Sequence, residues 1–290
     1  MALPSVYVFT PTFGDAIRDE TVRSVAAAIA EYGGTAHHVI SRYNPHGDGD
    51  RRNVGAQFVH GREMFLASGF DALLTVEHDM LIPSHAIATM TATAAPVVYA
   101  PYTLRHGSFA TSAFRYENDR SVGMSLSMYP AELRAAWAAG EWRVSGVGFG
   151  CTLIDRQAVA TVPFRTGGEA NDRYPDLPFA RDCLAAGIWQ VAQFGAACQH
   201  YDADTRTWLP PRWRADGSRS MQVEALQNVT IAVNGGSQKL DRGLVYDLPD
   251  IVALEAQRAG YVAIIPLEPD ELEATKPKRA TKPKATAKKA

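Results

Sequence analysis

Three consecutive side chains that can bind a metal ion, Glu77, His78 and Asp79, interrupt an apolar stretch of the chain. The residues just before them, at 72–76, are mostly aliphatic, as in a strand that is buried on both faces. Ligand sites of parallel sheets open at the carboxyl ends of the strands. Carboxylate oxygens placed there could bind Mg²⁺ or Mn²⁺ together with a substrate diphosphate. The alternative is that the three residues form a solvated strand end or a helix cap.

The elements that would position these residues alternate between strand and helix. Strands are predicted at 6–9, 35–41, 71–77 and 97–102, with helices at 19–32, at 52–68 and from about Pro83 onward. This alternation predicts an α/β fold with a mainly parallel sheet flanked by helices. Further along, a glycine-rich segment leads to a strand at 149–154. A helix near 178–186 and a strand at 188–193 follow it.

Composition is that of a globular protein with 290 residues, 46% of them hydrophobic and 21% charged. This is enough for one large α/β domain with smaller additions. The amino terminus has no basic region before its apolar residues, and no apolar stretch is long enough to cross a membrane. The three cysteines lack metal-type spacing and make a disulfide framework improbable. We therefore expect a cytoplasmic protein without membrane association.

The last residues, 275–290, carry a charge opposite to that of the remaining chain. They contain six lysines, one arginine and no acidic residue, and without them 22 basic residues face 31 acidic ones, a net charge of −9. A segment this basic and this poor in apolar residues is predicted to be disordered. Such tails bind DNA or RNA by releasing counterions. The alternative is a solubilising tail without a partner.

Three regions are predicted from these patterns. Residues 1–225 would form the main α/β domain, 226–266 a small ββαβ appendage and 267–290 the disordered Lys-rich tail. The end of the appendage, VYDLPDIVALEAQRAGYVAII, resembles short modules of bacteriophage structural and accessory proteins.

Several fragments stand in one order along residues 5–202, namely TPTFGD, RRNVGAQFVHGREMFLASGFDALLTVEHDMLIP, GVGFGCTLIDRQAV, PDLPFARDCLAAGI and CQH. In this order they resemble the GT-A glycosyltransferases, which use nucleotide sugars and a DxD-type metal motif, and in particular the family 2-like branch. The resemblance implies a GT-A fold and a nucleotide-sugar-dependent transferase. It does not extend to the appendage or the tail.

The resemblance also assigns roles to individual residues. The implied metal ligands are Asp79, His200 and Glu77, with Glu77 standing where the family has the first Asp of its motif. The donor nucleotide would lie beside Thr10, Thr12, Asp15, Arg52, Asn53 and Glu77. Two carboxylates and an imidazole suit Mn²⁺ better than an all-oxygen set does, with Mg²⁺ as the alternative. The resemblance alone favours a UDP-sugar, and His78 is not expected to coordinate.

The implied catalytic base is Asp176, which precedes a helix as the catalytic Asp of inverting family members does. An acceptor hydroxyl must lose its proton as it attacks the anomeric carbon, so the reaction needs such a carboxylate. Pro175 replaces the Glu that normally stands before this Asp. Asp182, on the same helix, and Glu169, upstream, are alternative bases. The glycines at 146–150 would line the acceptor pocket.

The acceptor is less well specified by the sequence than the donor. The basic tail and the phage-like appendage favour a hydroxymethylated pyrimidine in phage DNA, which would have to be flipped out of a duplex. A glycan, polysaccharide or protein acceptor is an alternative, as is nucleotidyl transfer on a similar sheet. A further alternative is an inactive transferase fold that binds nucleic acid or belongs to a virion.

Overall fold

The computed structural model describes residues 3–12, 16–105, 110–146, 148–166, 174–211, 220–233, 236–249, 253, 256–257 and 259–264. The chain divides into two compact units, Met1–Gly217 and Ser218–Ala290. The sequence analysis placed the boundary between the main domain and the appendage after residue 225, eight residues later than the structure does. Asp15, Glu169 and the Lys-rich tail lie outside the described residues, so the expectations for them stay predictions.

The first unit is built on a central sheet of eight strands in the order β2-β1-β3-β8-β5-β9-β7-β6. The strands of this unit are β1 Val6–Pro11, β2 Ala36–Ser41, β3 Ala72–Val76, β4 Met80–Leu81, β5 Val97–Tyr99, β6 Phe114–Arg115, β7 Glu141–Gly146, β8 Cys151–Asp155, β9 Gln190–Gln193, β10 Gln199–Asp202 and β11 Thr207–Leu209. In the central sheet only β7 and β8 run opposite to the other six strands. The predicted α/β fold with a mainly parallel sheet is confirmed at this level.

Six α-helices accompany the sheet among the described residues of the first unit, namely α1 Asp19–Tyr32, α2 Arg52–Ala67, α3 Ala86–Ala92, α4 Pro130–Ala139, α5 Arg156–Thr161 and α6 Asp176–Ala185. The apolar positions of α1 that recur every three or four residues, such as Val25 and Ala28, are fully buried. The helix ends where Gly33 adopts φ of 70°, a left-handed conformation that costs glycine little. Neither α1 nor α2 has a side-chain N-cap.

The core beneath α2 and α6 is aromatic. Phe149 contacts Phe58, Phe164 and Phe179 with ring centroids 4.8 to 5.3 Å apart. Phe149 directly precedes the Gly150–Cys151 step into β8, so this packing anchors the glycine-rich segment. Aromatic pairs at such distances add about 0.5–1.5 kcal/mol each beyond the area that they bury.

A second, smaller sheet of the first unit has the order β11-β10-β4 and positions residues from distant parts of the chain. Met80 pairs with His200 in the antiparallel ladder between β4 and β10. Trp208 of β11 packs edge-on against Tyr201, with ring centroids 5.3 Å apart. The strand β4 directly follows the residues at 77–79, so this sheet connects them to the CQH segment.

The second unit contains β12 Ser220–Ala225, β13 Val229–Val233, β14 Gly236–Leu240, β15 Val245–Pro249 and β16 Val262–Ile264. β13 and β14 form an antiparallel hairpin, and β12 pairs with both β15 and β16. Its core is a separate apolar cluster that includes Val223, Leu240 and Leu248. Because β12 completes this sheet, the unit begins earlier than the appendage expected from the sequence. Among the described residues of the whole chain, no helix is long and apolar enough to cross a membrane.

Candidate functional site

The turn that carries Glu77 and Asp79 is held by backbone hydrogen bonds. All five residues of β3 are buried, and the chain leaves the sheet at Glu77. The Glu77 amide donates to Gly150 O at 3.0 Å, and the Met80 amide donates to Glu77 O at 3.2 Å. The amide of Arg18 and the hydroxyl of Thr21 both donate to the carbonyl between these residues, that of His78. The start of α1 therefore helps to fix the turn.

His200 reaches the same turn through the small sheet. The Tyr201 amide donates to Asp79 O at 2.9 Å, which keeps the two segments in register. The Nδ1 atom of His200 lies 2.9 Å from Thr103 O. A carbonyl only accepts, so Nδ1 carries the proton and the lone pair of neutral His200 is on Nε2. Burial lowers the pKa of His200, which favours that neutral form.

Glu77, Asp79 and His200 each offer one ligand atom, and these atoms lie within 4.8 Å of one another. Asp79 is 2% exposed and His200 is 4% exposed. Neither oxygen of Asp79 nor the Nε2 atom of His200 has a hydrogen-bond partner among the described residues. Buried polar atoms without partners are costly in a folded protein, and more so when they are charged. Oxygen and nitrogen donors arranged in this way fit a divalent cation.

The electrostatics of the cluster also favour a cation. Although Glu77 borders a cavity, its carboxyl group is surrounded by protein atoms, and this burial raises its pKa. The nearby carboxylates of Asp79 and Asp176 also raise it and Arg105 opposes them, so that together these causes bring the pKa of Glu77 to about 8. Burial likewise raises the pKa of Tyr102, with Glu77, Asp176 and Asp79 acting in the same direction. A bound cation would relieve this crowding of negative charge.

Two further side chains contact Asp79. The Nη1 atom of Arg105 lies 2.9 Å from Asp79 Oδ2, but the approach lacks hydrogen-bond geometry, so the contact is an ion pair only. The Nε2 atom of His78 lies 3.8 Å from the same oxygen, as far away as the Nε2 atom of His200. Burial lowers the pKa of His78. His78 is not one of the three clustered residues, and the expectation that it does not coordinate stays a prediction.

The cluster borders a cavity of about 1000 Å³. The cavity is lined mainly by polar and charged side chains, among them Arg18, Asp19, Glu20, Arg23, Arg51, Glu77, His78, Asp79, Tyr102, Arg105, Tyr174, Asp176, His200 and Tyr201. The guanidinium of Arg18 lies over the Tyr201 ring, 3.0 Å from its centroid. A volume of this size accommodates a nucleotide-sized ligand.

Asp176 faces the cluster from the first residue of α6. Its Oδ1 atom accepts the amide hydrogen of Leu177 at 2.8 Å. Its Oδ2 atom lies beside Gly148, because a Cβ on that glycine would be 3.3 Å from it and would collide with the hydroxyl of Tyr102. The ring of Tyr102 meets His200 edge-on, with centroids 5.1 Å apart. Tyr102 therefore packs against His200 and lies beside Gly148, where only glycine leaves room for its hydroxyl.

The residues expected beside the donor nucleotide at the end of β1 are occupied in local hydrogen bonds. Thr10 is fully buried, and its hydroxyl lies 2.9 Å from His38 Nε2. The hydroxyl of Thr12 donates to Ser41 O at 2.8 Å, and its backbone bonds to the side chain of Gln57. Neither threonine borders the cavity, although their neighbour Pro11 does.

The Arg-Asn pair at the start of α2 is also outside the cavity lining. Arg52 is exposed and forms an ion pair of 2.7 Å with Asp50. Asn53 is buried, accepts the amide hydrogen of His46 and donates to Gly47 O. It shapes the loop before α2. The adjacent Arg51 is the arginine of this segment that lines the cavity.

The second candidate base, Asp182, is six residues along α6 from Asp176. It accepts two hydrogen bonds of 2.8 Å from Arg165. Arg165 lowers the pKa of Asp182, which keeps its carboxylate ionised and engaged. Asp182 does not border the cavity, whereas Asp176 does.

Tyr102 and Arg105 are the main site residues that the sequence reasoning missed. Tyr102 lies just beyond the carboxyl end of β5, and Arg105 follows three residues later. The rule that pointed to Glu77 at the end of β3 applies equally to the end of β5 and would have found Tyr102. No signal in the sequence links Arg105 to Asp79.

No protein-family model matches this sequence, and no curated protein matches it. Solved structures show a distant likeness. A197 from STIV shares 15% identity at a TM-score of 0.44, with 72% of this chain and 95% of that chain covered. A mutant Drosophila β1,4-galactosyltransferase 7 in complex with manganese, UDP-Gal and xylobiose shares 12% at 0.37, covering 85% and 96% of the two chains.

A glycosyltransferase involved in the glycosylation of the major capsid of PBCV-1 shares 10% identity at a TM-score of 0.30. The alignment covers 54% of this chain and 63% of that chain. At such identities and TM-scores the likeness says nothing about activity. The functional conclusion therefore depends on the residues in and around the cavity.

Proposed function

We propose that this protein is a metal-dependent glycosyltransferase that moves a sugar from a nucleotide sugar to an acceptor hydroxyl. The observation that carries the proposal is the cluster of Glu77, Asp79 and His200 in the wall of a large cavity that also contains Asp176. The resemblance of the ordered sequence fragments to GT-A glycosyltransferases supports the same function.

In this proposal Asp79, His200 and Glu77 hold the divalent cation. When bound, the cation acts as a Lewis acid that stabilises the negative charge developing on the leaving nucleoside diphosphate. The Asp79 oxygens and His200 Nε2, which have no hydrogen-bond partner in the described part of the chain, supply suitable donor atoms. Two carboxylates with a neutral imidazole favour Mn²⁺, with Mg²⁺ as the alternative.

Asp176 is the general base of the proposed reaction. Its carboxylate takes the proton of the acceptor hydroxyl as the hydroxyl oxygen attacks the anomeric carbon. The bond from that carbon to the diphosphate oxygen breaks, and its electron pair leaves with the nucleoside diphosphate. Attack from the side opposite to the leaving group inverts the anomeric configuration.

Arginines on the cavity wall would hold the donor. Arg18, Arg23 and Arg51 border the same space as the cluster. Guanidinium groups match the oxygens of a diphosphate in shape and charge. The preference for UDP as the nucleotide is carried over from the sequence resemblance.

A hydroxymethylated pyrimidine in DNA stays the preferred acceptor in this proposal. Its support is the Lys-rich tail at 275–290, a sequence feature outside the described residues. The cavity itself does not favour a nucleic-acid acceptor over a glycan or a protein.

The test is a panel of nucleotide sugars measured by thermal unfolding with and without Mn²⁺. A donor at 100 times its Kd raises the free energy of unfolding by about 2.7 kcal/mol. In a chain of this size that is a rise in Tm of several degrees, on the order of 5–10 °C. We expect at least one UDP-sugar to give such a rise only when Mn²⁺ is present.

Asp79→Asn is the variant that links this shift to the cluster. It should remove the Mn²⁺-dependent shift, while Asp50→Asn, on the exposed loop before α2, should keep it. Release of a nucleoside diphosphate identifies glycosyl transfer, and release of pyrophosphate identifies nucleotidyl transfer. The proposal is wrong if no nucleotide sugar raises the Tm of the wild-type protein with any divalent cation.

A further inference from the structure

Arg105 occupies the position of a counter-cation in the cluster. Its Nη1 atom lies 2.9 Å from Asp79 Oδ2, the same oxygen that is 3.8 Å from His200 Nε2. The Asp79 side chain is only 3% exposed, so this guanidinium supplies most of the positive charge that a buried carboxylate needs. Arg105 therefore contacts an oxygen atom, Asp79 Oδ2, that the proposed cation would also bind.

We propose that Arg105 is an internal competitor of the divalent cation, paired with Asp79 in the metal-free protein and displaced when the cation binds. This inference rests on the proposed function, since it concerns the same cluster. It adds an exchange of cations at Asp79 that the three ligands alone do not imply.

Electrostatics favours the exchange. A divalent cation bound to Asp79 Oδ2 would lie within a few ångströms of a guanidinium that contacts the same oxygen. Like charges at that separation repel strongly inside a protein, where the effective dielectric constant is low. Asp79 alone offsets only part of this repulsion, and a further anion between the two cations would offset more of it.

The geometry of the ion pair between Arg105 and Asp79 fits a contact that can be exchanged. A permanent buried ion pair normally satisfies its oxygens with well-directed hydrogen bonds. Here neither Asp79 oxygen accepts a hydrogen bond from Arg105 or from any other described residue, and His200 Nε2 is unpartnered as well. The guanidinium neutralises Asp79 without completing the coordination of the cluster.

Arg105 also has space to leave. Its side chain is 28% exposed and borders the cavity. The backbone just before it is anchored, because Leu104 donates to Ala110 O at 2.8 Å and Thr103 bridges to Thr111. Rotation of the side chain alone would move the guanidinium from Asp79 into the cavity. There its fork of donors matches the oxygens of a diphosphate, the anion that would separate the two cations.

The experiment compares Mn²⁺ affinity in the absence of any donor, by electron paramagnetic resonance of free Mn²⁺. Arg105→Gln removes the competing charge and should bind Mn²⁺ at least about tenfold more tightly than the wild type. Arg105→Lys keeps the charge and should stay close to the wild type. Arg23→Gln is the matched control, because exposed Arg23 borders the same cavity without contacting Asp79.

Thermal unfolding gives a second readout that does not depend on activity. In EDTA, Arg105→Gln should have a lower Tm than the wild type, because Asp79 loses the one partner of fixed positive charge that it has among the described residues. Saturating Mn²⁺ should remove that difference. If the Gln variant does not fold, Arg105→Met, which keeps the apolar stem of the side chain, replaces it.

The outcomes separate the two proposals. If the wild type binds Mn²⁺ in an Asp79-dependent way and Arg105→Gln binds it with unchanged affinity, the competition is wrong and the proposed metal-dependent transferase stands. If neither protein binds Mn²⁺ in an Asp79-dependent way, the proposed metal site itself is wrong.

Discussion

At the residue scale, α6 carries two aspartates with opposite surroundings. Asp176 borders the cavity and faces Tyr102 across Gly148, while Asp182 is held by two hydrogen bonds from Arg165. A general base must reach the substrate, and a carboxylate fully engaged by an arginine is a poor proton acceptor. The surroundings of the two side chains therefore support Asp176 as the base.

We predict that Asp176→Asn lowers kcat by roughly 10²- to 10⁴-fold, as expected for the loss of a general base. Mn²⁺ should still bind, although more weakly, because Asp176 is not one of the three clustered ligands but its charge acts on Glu77. Asp182→Asn is the matched control on the same helix and should lose only a partly exposed ion pair, worth about 0–1 kcal/mol of stability. Steady-state release of nucleoside diphosphate measures kcat for both variants. A large loss of kcat in Asp182→Asn with normal turnover in Asp176→Asn would reverse the assignment.

The sequence named Glu77, Asp79 and His200 as members of one site, and the three side chains lie together in the structure. That they bind a metal ion stays a prediction. Residue type and position after a strand pointed to Glu77 and Asp79, whereas His200 was implied by the resemblance of the ordered fragments. Polar side chains that form hydrogen bonds with the backbone of nearby loops are harder to interpret. Thr12 and Asn53 look like donor ligands in the sequence, yet their hydrogen bonds go to neighbouring loops. Such local bonds compete with ligand binding and leave no periodic pattern in a sequence.

At the scale of elements, the glycine-rich segment before β8 joins the two halves of the site. Gly150 O accepts the amide hydrogen of Glu77, and Gly148 lies against both Tyr102 and Asp176. A side chain at Gly150 would be within 2.6 Å of the Tyr102 ring. The glycines thus let a backbone pass through the space between the cluster and the proposed base.

We predict that Gly148→Ala destabilises the protein by about 1–3 kcal/mol, the usual cost of overpacking. It should also reduce activity, because the added methyl group collides with the Tyr102 hydroxyl and lies close to Asp176. Gly69→Ala is the control, since a Cβ there meets no atom within 4 Å. Denaturant unfolding gives the stabilities. Equal stability and turnover in the two variants would show that the close approach at Gly148 has no consequence.

The sequence predicted most elements of the main sheet but not the direction of all of them. Alternation of strands and helices implied parallel neighbours, and β1, β2 and β3 follow that rule. β8 does not, because it lies antiparallel between β3 and β5. Its residues are apolar enough for a central strand in either direction, so composition cannot specify the orientation. The pairing of β4 with β10 was also missed, because these strands are two and four residues long.

At the scale of the molecule, the cavity residues and the most basic segment lie in different parts of the sequence. The described residues that line the cavity belong to the first unit, Met1–Gly217. The strongest concentration of positive charge is at the opposite end of the sequence, in residues 275–290. An acidic chain of net charge −9 without its tail would be repelled by nucleic acid, so any contact with DNA should depend on those seven cations.

Deletion of residues 275–290 tests this dependence. For duplex DNA, log K falls with log of the salt concentration by about 0.9 per phosphate neutralised, so seven cations contribute at most about 6 to that slope. We expect the deletion to weaken DNA binding and to reduce the slope, and we expect Asp79→Asn to change neither. A tail of equal length with its lysines and arginine replaced by glutamine separates charge from length.

If DNA affinity and its salt dependence are the same with and without the tail, the predicted anchor is wrong. The case for a DNA acceptor then loses its principal support, while the proposed transfer chemistry in the first unit is unaffected.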